Sequence, residues 1–179
     1  MNNFVNRMWR AARMETALYE EVESDPSAMG QAIGVVLISS AAAGIGSLAG
    51  SGGLGFITGI LGALIGWFIW AYLTYLIGTK LLPTAQTRAD YGELLRTIGF
   101  SSSPGIIRIL GIIPGIRGVV FLVAGVWMLA AMVVAVRQAL DYKSTWRAIG
   151  VCVIGWVIQL AISALFLALF GGPAPSPGA

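Results

Sequence analysis

Residues 91–140, YGELLRTIGFSSSPGIIRILGIIPGIRGVVFLVAGVWMLAAMVVAVRQAL, decide the fold. The stretch opens as an amphipathic helix, with Leu94, Leu95 and Ile98 on one side. Asp90 stands in front of it as a cap, and Glu93 three residues later completes a capping box. From Ile98 to Pro114 the chain is apolar but interrupted by Gly99, Pro104, Gly105 and Gly111. Pro104 removes a backbone donor and clashes with the turn before it. Ser101, Ser102 and Ser103 stand where they can satisfy the backbone groups that such a break releases, as membrane depth requires. Arg108 comes one turn past the proline. The run Val119–Val136 between Arg117 and Arg137 is then long and apolar enough to cross a bilayer.

Composition agrees that lipid is the solvent. Of 179 residues, 57% are hydrophobic and 11% charged, and mean hydropathy is +0.83. A soluble domain carries roughly 25% charged residues, so this chain cannot cover its own surface with charge. The net charge of +3 is small and scattered, which argues against nucleic acid as a partner. Cys152 is the one cysteine and lies in an apolar run, so there is no disulfide framework.

Working outward, 80–96 (KLLPTAQTRADYGELLR) is a polar connection. Before it, 54–78 reads as a span in which Gly55, Gly59, Gly62 and Gly66 form a stripe on one helix face. Trp67, Trp70, Tyr72 and Tyr75 gather toward its end as an aromatic belt. The segment 31–49 is a further span rich in Ala, Ser and Gly, which permits close approach of a neighbour. Gly50-Ser51-Gly52-Gly53 reads as the turn between these two spans, and the stripe as a packing surface in preference to a substrate groove.

The first 29 residues are polar. Phe4, Val5, Met8, Trp9 and Ala12 alternate with Arg7, Arg10 and Arg13 as in a helix lying on a membrane surface, arginines toward phosphates. No apolar run comes after those arginines, so a secretory signal is not expected. Glu15, Glu20, Glu21, Glu23 and Asp25 then form an acidic helix, read as solvated or as a docking patch for a partner. Beyond the central stretch, 148–170 is the last expected span, and the tail 171–179 (GPAPSPGA after Gly171) reads as disordered.

The expected architecture is therefore all-α, a polytopic transmembrane helical bundle. Its spans lie at 31–49, 54–78, 98–114, 119–136 and 148–170, with the third helix broken, in a domain covering 30–170. With five crossings, Arg7, Arg10, Arg13, Lys80, Arg88, Arg96, Arg137, Lys143 and Arg147 share one side, against Arg117 and Arg108 on the other. That bias places the N-terminus inside and the C-terminus outside. Arg108 has two readings, a cation that snorkels to the far headgroups or an intramembrane functional group. The lack of a carboxylate at membrane depth favours snorkelling.

Enzyme chemistry finds no support. The chain has no histidine, so neither a Ser-His or Cys-His pair nor an imidazole metal site can be built. No carboxylate lies within a span, and no phosphate-loop motif is present. No catalytic, metal or cofactor-binding residue is expected.

Three stretches carry a resemblance: DYGELLRTIGFSSSP (90–104), IIPGIRGVVFLVAGVWMLAAMVVAVRQAL (112–140) and DYKSTWRAIG (141–150). Together with the hydropathy of about residues 30–170, they resemble the Yip1-domain family of multispanning membrane proteins, in its compact prokaryotic style. The resemblance implies five spans and a cytoplasmic N-terminus. Eukaryotic relatives are implicated in vesicle trafficking and bind small GTPases, but the acidic-aromatic-Gly-Pro motif of their cytoplasmic segment has no match in residues 1–29. The function implied is a non-enzymatic protein of the prokaryotic inner membrane, working by helix packing with itself or another membrane protein, among membrane lipids. The alternative is a small transporter or channel component using Ser101, Ser102, Ser103, Pro104 and Arg108.

Overall fold

The computed structural model describes residues 2–170, without the side chains at 2, 48–55, 163 and 166–170. Every regular element among them is helical: α1 (Asn2–Ala12), α2 (Thr16–Ser24), α3 (Met29–Gly46), α4 (Leu48–Leu76), α5 (Tyr91–Ser101), α6 (Arg117–Ala139) and α7 (Thr145–Phe170). A 3-10 helix (Ser103–Ile112) succeeds α5, and a π-helical stretch (Ile77–Leu81) ends α4. Among the described residues, four stretches are long and apolar enough to cross a membrane: Pro26–Gly46, Phe56–Leu81, Arg117–Ala139 and Thr145–Ile162.

The third expected span is built differently from the others. The capping box expected at Asp90 and Glu93 is present, with Asp90 N–H donating to Glu93 Oε2 at 2.7 Å. α5 runs only to Ser101, where Pro104 forbids its continuation. Ser101 and Ser103 are buried, and their hydroxyls donate to Ile98 O and Phe100 O, each at 2.7 Å. Carbonyls at the break thereby gain partners inside the protein. The chain then continues as ten residues of 3-10 helix, long for a geometry that rarely exceeds 3–4 residues.

The sequence explains this length. A 3-10 helix has three residues per turn, and Gly105, Arg108 and Gly111 recur at that spacing, as do Ile106, Ile109 and Ile112. The three isoleucines are exposed; the two glycines are buried. A β-carbon on Gly105 would strike Ser39 Oγ, and one on Gly111 would lie 3.0 Å from Gly46 O. Earlier, one on Gly99 would lie 2.8 Å from Ala32 Cβ. The chain from 99 to 111 therefore runs alongside α3 from 32 to 46, in the same direction.

α6 returns the other way. Phe121 sits by Gly46 and Gly111, Met128 by Gly105, and Leu140 beyond its end by Gly78. α4 also opposes α3. Phe56 packs on Gly44, and Trp67 Nε1 donates to Leu95 O at 3.1 Å. The turn between α3 and α4 is Ser47, not Gly50–Gly53, which lie within α4. In lipid, where water cannot take their place, backbone groups satisfy one another best by staying helical, and that outweighs the low helix propensity of glycine.

The α1–α2 end holds the compact core, with Leu18, Tyr19, Val22, Val35, Leu94, Phe100, Val136 and Leu140 buried. Tyr142 closes it from the α6–α7 loop, donating to Leu82 O at 2.7 Å. The N-terminal segment belongs to this core and differs from the free surface helices expected. Arg7 is 6% exposed. Its guanidinium donates to Glu21 at 2.8 Å, Asp25 at 2.9 Å and Gln31 at 3.1 Å. Arg10 pairs with Glu15 at 3.1 Å and Glu21 at 2.6 Å. The arginines are directed to the acidic helix instead of to phosphates, and Glu21 and Asp25 are engaged by α1. Pairing with fixed neighbours satisfies a buried guanidinium more completely than distant headgroups would. The tail 171–179 lies outside the described residues.

Candidate functional site

The structure separates the two groups of residues singled out in the sequence. Gly55 is among the residues whose side-chain surroundings are not described. Gly59, Gly62 and Gly66 are, and a β-carbon on any of them would meet no atom within 4 Å. Gly59 and Gly62 are exposed, while Gly66 belongs to the wall of a cavity between α4 and its neighbours. Close approaches fall at Gly44, Gly46, Gly78, Gly99, Gly105 and Gly111. Around the stripe, Ile57, Leu61, Ile65, Phe68 and Ile69 are exposed apolar side chains.

The broken segment leads to a cavity. Ser101 and Ser103 turn their hydroxyls to the backbone and Pro104 is buried, whereas Ser102 and Arg108 line a space of about 220 Å³. Its walls come from α3 (Val36, Ser39, Ser40), α4 (Ala63, Gly66, Trp67, Trp70), Ile98 of α5, and α6 (Met128, Met132). Ser40 bonds back to Val36 O at 2.7 Å.

Arg108 is the charged member of the wall. Its carbonyl sits by Gly46, at the end of α3 far from α2, and its side chain lines the cavity with its guanidinium carbon 5.9 Å from the Phe121 ring centre. Its Nε is buried with no acceptor among the described residues, and so is Nε1 of Trp70 in the same wall. A buried donor left unpaired costs about 1–3 kcal/mol, and more when charged. Every carboxylate side chain of the chain lies at 15–25, 90–93 or 141, outside the spanning helices. The position of Arg108 along the sequence suggested an anchor in the far headgroups. Its side chain instead faces a space among helices. In the sequence Trp70 reads as part of an aromatic belt, and its place in the same cavity wall as Arg108 has no signature in sequence spacing.

A second polar feature lies at the α1–α2 end, a cleft of about 450 Å³ whose lining includes Glu20, Glu23, Glu93, Asp141, Arg137 and Lys143. Burial pushes the Glu23 carboxyl up to about 7, helped by the nearby charges of Glu93, Asp141 and Glu20. Beneath it, Arg96 is 7% exposed. It donates through Nε to Val22 O at 2.8 Å and through Nη2 to Glu23 O, capping the C-terminus of α2 with a cation. Among the described residues no group of three or more Cys, Asp or Glu could hold a metal ion.

Apolar helices of spanning length around a core with no metal-ligand cluster among the described residues define an integral membrane protein of the helical-bundle class. Residues 16–168 match the family model described as Yip1 domain. The chain belongs to the Yip1-domain family. That family is not known for enzymatic activity. Comparison with curated proteins and with solved structures returned no match.

Proposed function

We propose that the protein is a non-enzymatic, five-crossing protein of the prokaryotic inner membrane that organises a membrane assembly by packing against a second copy of itself or another membrane protein. The observation that carries this reading is the face of α4 at Gly59 and Gly62. Among the described residues it meets none of the chain's other helices, and apolar side chains flank it. In lipid, helices associate through close backbone approach at small residues, and this face permits such an approach.

The five-crossing topology rests on two supports. The segment 99–111 keeps pace with α3 from 32 to 46. Ten residues of 3-10 helix at about 2.0 Å per residue also give it the reach of a longer α-helix. With that crossing, nine basic residues face the α1–α2 side, which the charge rule assigns to the cytoplasm.

The test is extraction into native nanodiscs followed by mass measurement of the assembly. A homo-oligomer or a stoichiometric membrane partner is expected, reduced by Gly59→Leu and Gly62→Leu without loss of the folded monomer. Unchanged assembly mass in both variants would overturn the reading.

A further inference from the structure

We propose that the cavity enclosed by α3, α4, the broken segment and α6 binds one anionic group, a carboxylate or phosphate, through the Arg108 guanidinium and the Trp70 indole N–H. The two donors are the buried side-chain nitrogens without a partner among the described residues, and both belong to the wall of this one space. A guanidinium presents a planar fork of donors that matches a carboxylate or phosphate edge, and an indole N–H is a donor only. The site therefore offers donors and calls for an acceptor that is also negative. No side chain of the protein supplies one there, since all carboxylates are remote in sequence and lie outside the spans.

The rest of the wall indicates what carries the anion. Ser39 and Ser102 add hydroxyls near the donors, while Val36, Trp67, Met128 and Met132 make the remainder apolar. The wall is drawn from apolar helices of spanning length and the broken segment between them. A ligand matched to such a wall carries an apolar body beside its anion, so the anionic head of an acyl lipid is the form expected. The site differs from the assembly face at Gly59 and Gly62 and does not depend on it.

The experiment uses the full chain in phosphatidylcholine nanodiscs, with oleate, oleyl alcohol and inorganic phosphate as separate probes and native mass spectrometry as readout. Saturable binding of one oleate per chain is expected, with oleyl alcohol, of the same length but neutral, bound at least about tenfold more weakly. Arg108→Gln should lower oleate affinity by at least about tenfold, and Trp70→Phe should lower it by less. Arg117→Gln serves as the control, because Arg117 lies over the same Phe121 ring at 5.8 Å but does not line the cavity. It should leave binding unchanged. If inorganic phosphate binds with the same dependence on Arg108, the anion site stands and its ligand comes from water. Equal binding of oleate and oleyl alcohol, or an equal loss in Arg117→Gln, overturns the proposal, as does failure of oleate and phosphate alike to bind the wild-type protein. The alcohol comparison and Trp70→Phe keep the test decisive should Arg108→Gln not fold.

Discussion

Gly99 lies against Ala32 so closely that a β-carbon on it would come 2.8 Å from the alanine methyl and 3.3 Å from its backbone. The neighbour is a short side chain on a helix, with no flexible end to swing aside. Gly99 thus sets the distance between α5 and α3 at the point where the broken segment begins its course beside α3. Replacement by Val should force these helices apart, at the cost of about 1–3 kcal/mol typical of overpacking. Thermal unfolding in detergent should report it as a melting point lowered by roughly 5 °C. The comparison is Gly62→Val, whose β-carbon meets open space. A β-branched residue is no worse than glycine in a helix, so the melting point of that monomer should hold or rise slightly. Equal loss in both variants would show that the close approach of Gly99 to Ala32 is not what sets the melting point.

Local chemistry was legible in the sequence where it depends on neighbours along the chain. The capping box at Asp90 and Glu93, the stop at Pro104 and the serines beside it all act within a few residues, and the structure bears them out in place. The 3-10 helix was legible in principle, through the three-residue recurrence of Gly105, Arg108 and Gly111. A search for the period of an α-helix passes over it. The stripe at Gly59, Gly62 and Gly66 shows the opposite limitation. Spacing says that a close approach is permitted there, not which helix makes it. The pairing of Arg7 with Glu21 and Asp25 depends on how two short helices fold back, and no local pattern encodes that.

Arg96 holds α2 by its last carbonyls, so its removal should release that helix selectively. Arg96→Met keeps the stem but leaves Val22 O and Glu23 O without their donors. Hydrogen bonds to a charged group contribute about 1.5–3 kcal/mol. Amide exchange along 16–24 should accelerate at least about tenfold while α6 and α7 stay protected. Arg96→Lys should rescue only in part, since an ammonium cannot reproduce a fork that reaches two carbonyls. Uniform acceleration along the whole chain would instead make Arg96 part of the global core.

Arg7 should fasten α1 in a way that salt cannot reproduce or remove. Its hydrogen bonds to Glu21 and Asp25, on a nearly buried side chain, outweigh the cost of burial and hold its pKa above the ordinary value. Arg13, with its side chain 63% exposed and its Nε 3.8 Å from Glu15, is the comparison on the same helix. Arg7→Met should raise exchange in 2–12, whereas Arg13→Met should change it within about twofold, as exposed pairs contribute little. Raising salt to 1 M leaves a screening length of about 3 Å, which weakens exposed pairs far more than buried ones. Protection of α1 in the wild type should therefore survive high salt.

Glu23 makes the docking of α2 dependent on pH. Its pKa is held at about 7 by burial first and then by Glu93, Asp141 and Glu20, against the ordinary 4.5, while Arg96 pulls the other way. The docked helix therefore holds a proton that the released helix gives up between these two values. Docking is strongest at the acid end of that window and weakens as pH rises through about 7, beyond which the loss is complete. Glu21 and Asp25 do not oppose this trend within the window. The first is lowered chiefly by Arg10 and the second by Ser27 and then Arg7, so both remain charged until pH falls below the usual carboxylate range. Arg137 and Lys143 also line the cleft. After correction for the intrinsic pH dependence of exchange, protection of 16–24 should be a few-fold greater at pH 6 than at pH 8, because Glu23 is partly open to solvent and screened. Glu23→Gln should flatten the profile at its acid-side level, since the amide matches the protonated form. A slope retained in that variant would show that Glu23 does not carry the proton.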